Sequence, residues 1–217
     1  MSMRVHDFFL RQIPISFVLL FIGCYSSKKD TPIILALLNQ PTSSYHITIV
    51  GDSLSQLSDG FGLKYKLPTS YSIRDMSVAG YGTEDWLVQS PELEALSTDI
   101  WLIELGVNDA NLYGTTNFLT RYKELLSRLE KNSISLFILT AVPLTDYVDL
   151  RPSIKTNNQS IRDLVQTKPN YKLADIEKVF STYSGLPPLY SLNDPVHPNQ
   201  LGLEIMGNEY QRILLGF

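Results

Sequence analysis

From His46 onward the chain alternates short apolar runs with longer segments in which apolar residues recur every three or four positions. Five runs read as strands: Ile47 to Gly51 (ITIVG), Tyr71 to Val78 (YSIRDMSV), Asp99 to Gly106 (DIWLIELG), Ile134 to Val142 (ISLFILTAV) and Tyr171 to Ile176 (YKLADI). Several are apolar at consecutive positions, as strands covered on both faces of a parallel sheet must be. Between them the spacing predicts helices: one after Leu54, then Thr83 to about Leu96, Asn117 to Lys131, Ile154 to Thr167 and Pro198 to Leu215. The third of these is the clearest. Phe118, Leu119, Tyr122, Leu125, Leu126 and Leu129 line one side, leaving Arg121, Lys123, Glu124 and Arg128 for water. A β-α-β-α order with short connections predicts a three-layer α/β/α domain around a five-stranded parallel sheet with right-handed crossovers. Ligands of such sheets bind beyond the carboxyl ends of the strands, so the residues just past each strand are the candidates for chemistry.

Ahead of this domain the pattern changes. Arg4 and Arg11 precede an apolar run from Ile13 to Gly23 that is short for a bilayer span, the arrangement of a secretory signal. The run stops at Cys24, the single cysteine of the chain, and "FIGC" resembles a bacterial lipoprotein signal, although Phe21 stands where leucine is usual. This resemblance implies removal of residues 1–23, lipidation of Cys24, a tether over 24–44 and an exported domain, 45–217, anchored to a bacterial membrane. Within the tether the apolar stretch Pro32 to Leu38 is too short to span.

Composition narrows the function classes. The 217 residues are 44% hydrophobic and carry 18 basic against 22 acidic side chains. The basic residues are scattered, so no nucleic-acid partner is expected. One cysteine excludes an internal disulfide and a cysteine-cluster metal site. Two histidines remain once His6 leaves with the signal, so neither metal nor cofactor is expected, and the domain is expected to be a monomer.

Four segments fall where the fold gathers a site: "GDSLS" after the first strand, "AGYGTED" after the second, "GVNDAN" after the third and "NDPVHPNQLG" before the last helix. Each alone is ordinary turn chemistry. Ser53 in the first is a candidate nucleophile, and a serine hydroxyl needs a neighbouring base. His46 lies about 20 Å away at the wrong end of the same strand, which leaves His197. An imidazole base needs an acidic partner to hold its tautomer, and Asp194 stands three residues before it, although an aspartate capping the last helix beside a solvated histidine is the simpler account of that segment alone. Acyl transfer also needs donors for an oxyanion. The Ser53 N–H, a close backbone approach at Gly80 and the Asn108 amide can supply them, with a tight turn and a helix cap as the alternatives. Asp52 and Asp109 read as structural acceptors of loop N–H groups. Tyr81, Trp86 and Tyr113 either line the site or pack in the core.

Taken together these blocks resemble the SGNH subgroup of the GDSL esterase/lipase family, in order and over the whole domain from Ile47 to the last helix. "GDSLS", "SVAGYGT", "LGVND" and "DPVHPNQLG" are similar to its four blocks, and "NNQSIRDL" (Asn157 to Leu164) to the helix before its fifth strand. The resemblance implies a flavodoxin-like SGNH hydrolase fold and a catalytic triad of Ser53, Asp194 and His197. It also implies an oxyanion hole of Ser53, Gly80 and Asn108, and a small-molecule, lipid or sugar ester as substrate. One departure stands in the second block, where Asp75 occupies a place often held by asparagine, so a supporting hydrogen bond changes sense. The G-x-S-x-G elbow of the α/β-hydrolases is absent. An acyltransferase using the same acyl-enzyme and a catalytically silent surface-binding lipoprotein are the alternatives. A flavodoxin-like nucleotide binder shares the architecture but would need a glycine-rich phosphate loop after the first strand, which this chain lacks.

Overall fold

The computed structural model describes residues 45–130 and 135–216. Five parallel strands, β1 (Tyr45–Val50), β2 (Tyr71–Asp75), β3 (Ile100–Ile103), β4 (Leu136–Ala141) and β5 (Tyr171–Asp175), form one sheet in the order β2-β1-β3-β4-β5. Neighbouring side chains on a strand face opposite sides, and both sides are covered, which is why all four residues of β3 are buried. Ile47, Ile49, Ile100, Leu102 and Ile138 pack with α1 (Ser53–Leu57), α2 (Leu63–Lys66) and α8 (Gln200–Leu214) through Leu54, Leu63, Met206 and Tyr210. On the other face Val50, Trp101, Ile103, Phe137 and Leu139 meet α3 (Thr83–Glu94), α5 (Phe118–Leu129) and α6 (Arg151–Val165) through Trp86, Leu93, Tyr122, Leu125 and Ile161. This is the expected three-layer α/β/α architecture with a five-stranded parallel sheet.

The differences from the sequence expectations lie at element ends. β2 and β3 stop three residues early, at Asp75 and Ile103, because the chain there turns off the sheet into the loops that carry the site. "VNDANLY" is helix α4 (Val107–Tyr113) rather than a turn: Gly106 takes φ +140° to start it, and Val107 and Ala110 anchor it in the core. Ile176 opens α7 (Ile176–Thr182), capped by the Asp175 side chain on the Lys178 N–H at 3.1 Å, rather than ending β5. Pro152 in its first turn lets α6 begin at Arg151 instead of Ile154. A hairpin unforeseen in the sequence, β6 (Tyr190–Ser191) with β7 (Asp194–Pro198), precedes α8.

The "NNQSIRDL" segment stitches the carboxyl ends of two strands together. Buried Asn158 accepts from the Val142 N–H (2.9 Å) and donates to Val142 O (2.8 Å) and to Glu177 (3.0 Å). Arg162 bridges Asp175 and Glu177 at 2.8 Å each. These contacts tie the carboxyl end of β4 to that of β5.

Candidate active site

Gly51 follows β1 in a space with no room for a side chain: a Cβ there would meet Ser77 Oγ at 2.8 Å and Ser55 Cβ at 2.9 Å. The Trp86 indole N–H donates to its carbonyl at 3.1 Å, so the tryptophan belongs to the core and fixes the turn rather than lining a cleft. Asp52 then caps α1, its Oδ1 accepting from the Leu54 N–H at 2.9 Å. Ser53 is consequently the first residue of the helix, half-buried, and its N–H is one of the orphan donors of a helix start.

The histidine arrives from the far end of the chain. Pro195 O accepts from the N–H groups of Asp146 (2.7 Å) and Tyr147 (3.1 Å), and the Tyr190 hydroxyl donates to Leu144 O (2.9 Å), which ties the β6–β7 hairpin to the loop after β4. His197 Nε2 thereby stands 3.0 Å from Ser53 Oγ. Its Nδ1 stands 2.9 Å from Asp194 Oδ2. Asp194 also accepts from the backbone N–H of His197 (2.9 Å) and of Val196 (3.1 Å). Burial pushes the Asp194 carboxyl up, but these donors and the neighbouring ring outweigh it and hold the group below its ordinary value. An ionised Asp194 accepting Nδ1–H leaves the Nε2 lone pair aimed at the serine. His46, in contrast, sits at the start of β1 beside Asp99, at 3.2 Å.

Two more loops close on the serine. The one after β2 is pinned to the α1 region by Val78 N–H to Gly51 O (3.3 Å) and Ala79 N–H to Gln56 Oε1 (2.9 Å). Within it Gly80 takes φ +85°, a left-handed backbone favourable to glycine, and is exposed. Asn108, in the first turn of α4, donates through Nδ2 to Tyr81 O (3.0 Å) and towards Asp52 Oδ2 (3.3 Å), so it bridges the second loop and the serine turn. Asp109 is buried and accepts from the Thr83 N–H and hydroxyl, locking α4 to α3. Asp75 acts as an acceptor, taking the Ser55 hydroxyl at 3.2 Å and the Ser77 N–H at 3.0 Å, the sense a carboxylate must have where an amide could also donate. Tyr113 is surface-exposed beneath Arg121.

Ser53, Asp194, His197, Gly80 and Asn108 therefore lie around one surface at the carboxyl edge of the sheet. Cys24, with the signal and tether segments, lies outside the described residues. Among the described residues no helix is long and apolar enough to cross a membrane. Sequence reasoning passed over Glu104, a fully buried acid directly beneath the serine turn. The available signal was an acidic residue inside an otherwise apolar strand run, "IWLIELG".

The sequence model of the GDSL-like Lipase/Acylhydrolase family matches residues 49–205. No curated protein matches the chain. Among solved structures, a member of the lipolytic protein G-D-S-L family from Veillonella parvula superposes with a TM-score of 0.70 at 12% identity, covering 80% of this chain and 100% of its own. A carbohydrate esterase family 3 protein from Talaromyces cellulolyticus gives a TM-score of 0.66 at 16% identity, with 79% and 97% covered. The C-terminal catalytic domain of peptidoglycan O-acetyltransferase A from Streptococcus pneumoniae gives 0.61 at 16%, with 80% and 94% covered. The structural likenesses carry the fold and the sequence match spans all four blocks: the chain belongs to the GDSL-like lipase/acylhydrolase family.

Proposed function

We propose that this protein is a serine esterase that hydrolyses carboxylic esters through an acyl-enzyme on Ser53. The observation that carries the proposal is the unbroken line from Ser53 Oγ to His197 Nε2 (3.0 Å) and from Nδ1 to Asp194 (2.9 Å). Ser53 Oγ attacks the ester carbonyl carbon while its proton passes to Nε2, and Asp194 steadies the imidazolium so formed. The oxyanion accepts from the N–H groups of Ser53 and Gly80 and from Asn108 Nδ2. Collapse expels the alcohol, which takes the proton from His197. Water then repeats the sequence on the acyl-enzyme, releasing the acid and restoring Ser53. A fluorophosphonate probe is expected to label the folded protein at Ser53 and nowhere else, and peptide mapping that finds no adduct there would overturn the proposal.

The substrate classes proposed are an acyl ester, a lysophospholipid or an O-acetylated sugar. The same acyl-enzyme can pass its acyl group to a sugar or lipid hydroxyl in place of water, a second reading that the similarity to an O-acetyltransferase domain favours. Product analysis with and without an alcohol acceptor separates the two, since hydrolysis yields free acid alone. Export and anchoring through lipidated Cys24 belong to the same proposal. A Cys24→Ala variant should move from the membrane to the soluble fraction, and an unchanged membrane fraction would remove the lipid anchor from it.

A further inference from the structure

Beneath the serine turn lies a buried acid that the mechanism above does not use. Glu104 follows β3 and is 0% exposed. Its Oε2 accepts only a long hydrogen bond, 3.5 Å, from the Asp52 N–H, and its Oε1 has no donor directed at it among the described residues. A buried carboxylate requires several donors or a cation to replace its hydration. Glu104 has neither. The titratable groups around it and Asp52 include Asp75 at the end of β2, Asp109 on α4, Tyr122 on α5, Tyr210 on α8 and His197 on β7, and among the described residues no lysine or arginine forms an ion pair with either acid. Asp52 is buried as well, and its backbone N–H lies 3.5 Å from Glu104 Oε2, so two buried acids stand side by side, an arrangement that favours one proton shared between them.

We infer that Glu104 is a positioning residue: a neutral carboxylic acid that donates its proton to Asp52 and thereby governs how tightly Asp52 holds the Asn108 amide. The inference rests on the esterase reading. Asn108 Nδ2 has two hydrogens, one given to Tyr81 O at 3.0 Å and one reaching towards Asp52 Oδ2 at 3.3 Å. The second must turn to the oxyanion when it forms. Asp52 competes for that hydrogen, and a carboxylate already occupied by the Leu54 N–H and the Glu104 proton is the weaker competitor. The shared proton also reduces the negative charge standing beside the developing oxyanion. Burial, followed by repulsion from Asp52, pushes the Glu104 carboxyl well above its ordinary value, consistent with this geometry.

The test compares Glu104→Gln, which keeps a donor to Asp52, with Glu104→Leu, which does not. With 4-nitrophenyl acetate as substrate, Glu104→Leu should lower kcat about 10-fold or more at little-changed KM, short of the 10²–10³-fold of losing an oxyanion donor outright. Glu104→Gln should recover most of that loss and, having no acidic proton to lose, should lack the decline in kcat expected of the native protein as pH rises through the raised Glu104 value. A leucine variant with native kcat, or a glutamine variant as impaired as leucine, overturns the inference. Infrared difference spectra decide the protonation independently of turnover and of whether the leucine variant folds. The native protein and Ser53→Ala should both show the carbonyl stretch of a protonated carboxyl at neutral pH, and Glu104→Gln should lose it. Persistence of the whole band in Glu104→Gln overturns the inference, whereas native turnover by Ser53→Ala overturns the esterase reading and leaves the band to judge Glu104. Stability carries the same signature. The native state keeps a proton that the unfolded chain releases above its ordinary carboxyl pKa, so the native protein should lose stability as pH rises through the raised folded value. Glu104→Gln should flatten that slope, and an equal slope in both proteins counts against the shared proton.

Discussion

Alanine at Ser53 should lower ester turnover by about 10⁴-fold or more, because in the proposed mechanism the hydroxyl oxygen is the atom that becomes acylated. Alanine at His197 should cost nearly as much. The double variant should be little worse than either single one, since the 3.0 Å contact makes the two residues one device whose parts have no separate value. Residual turnover in all three variants would come from substrate binding and the oxyanion donors. Initial rates with 4-nitrophenyl acetate measure the effect, and far-ultraviolet circular dichroism checks that the variants fold. Ser53 is half-buried at a helix start and alanine removes only its hydroxyl, so the alanine variant should fold normally. Native rates in the Ser53→Ala protein would remove the esterase proposal.

Asn108→Ala should lower kcat by about 10²–10³-fold with KM nearly unchanged, the cost of deleting one donor that acts mainly on the transition state. Asn108→Asp sharpens this. It preserves the shape of the side chain, but it replaces the amide donor with an acceptor and adds a charge next to Asp52, 3.3 Å away in the native arrangement. The aspartate should therefore be at least as damaging as alanine. If Asn108 served only to bridge Tyr81 O and the serine turn, loss of stability would accompany the loss of kcat. An unaltered urea midpoint with a collapsed kcat separates the two roles.

Periodicity revealed most of the fold and gave little warning of its joints. Apolar runs placed all five strands, and the three- and four-residue spacing from Phe118 to Leu129 placed α5 almost to the residue, because both patterns follow directly from which positions must leave water. Helix α4 was hidden because Gly106, Asn108 and Asp109 are turn formers by local chemistry, and only core contacts at Val107 and Ala110 make the segment helical. Two prolines concealed the β6–β7 hairpin, since a strand that begins with Asp-Pro and ends with His-Pro has no recognisable period.

By itself the amino-acid sequence determined the α/β class and the family's four blocks, and it offered His197 as the candidate base for Ser53. These follow from chain order and residue type, which do not depend on where loops travel. Tertiary structure alone decided that Asn108 is already committed to Tyr81 O and Asp52, that Trp86 serves the core, and that Glu104 is buried under the site with its Oε1 given no donor among the described residues. Such facts depend on contacts between residues 27 to 56 positions apart and on exclusion of water, and neither burial nor a missing donor is written in local sequence.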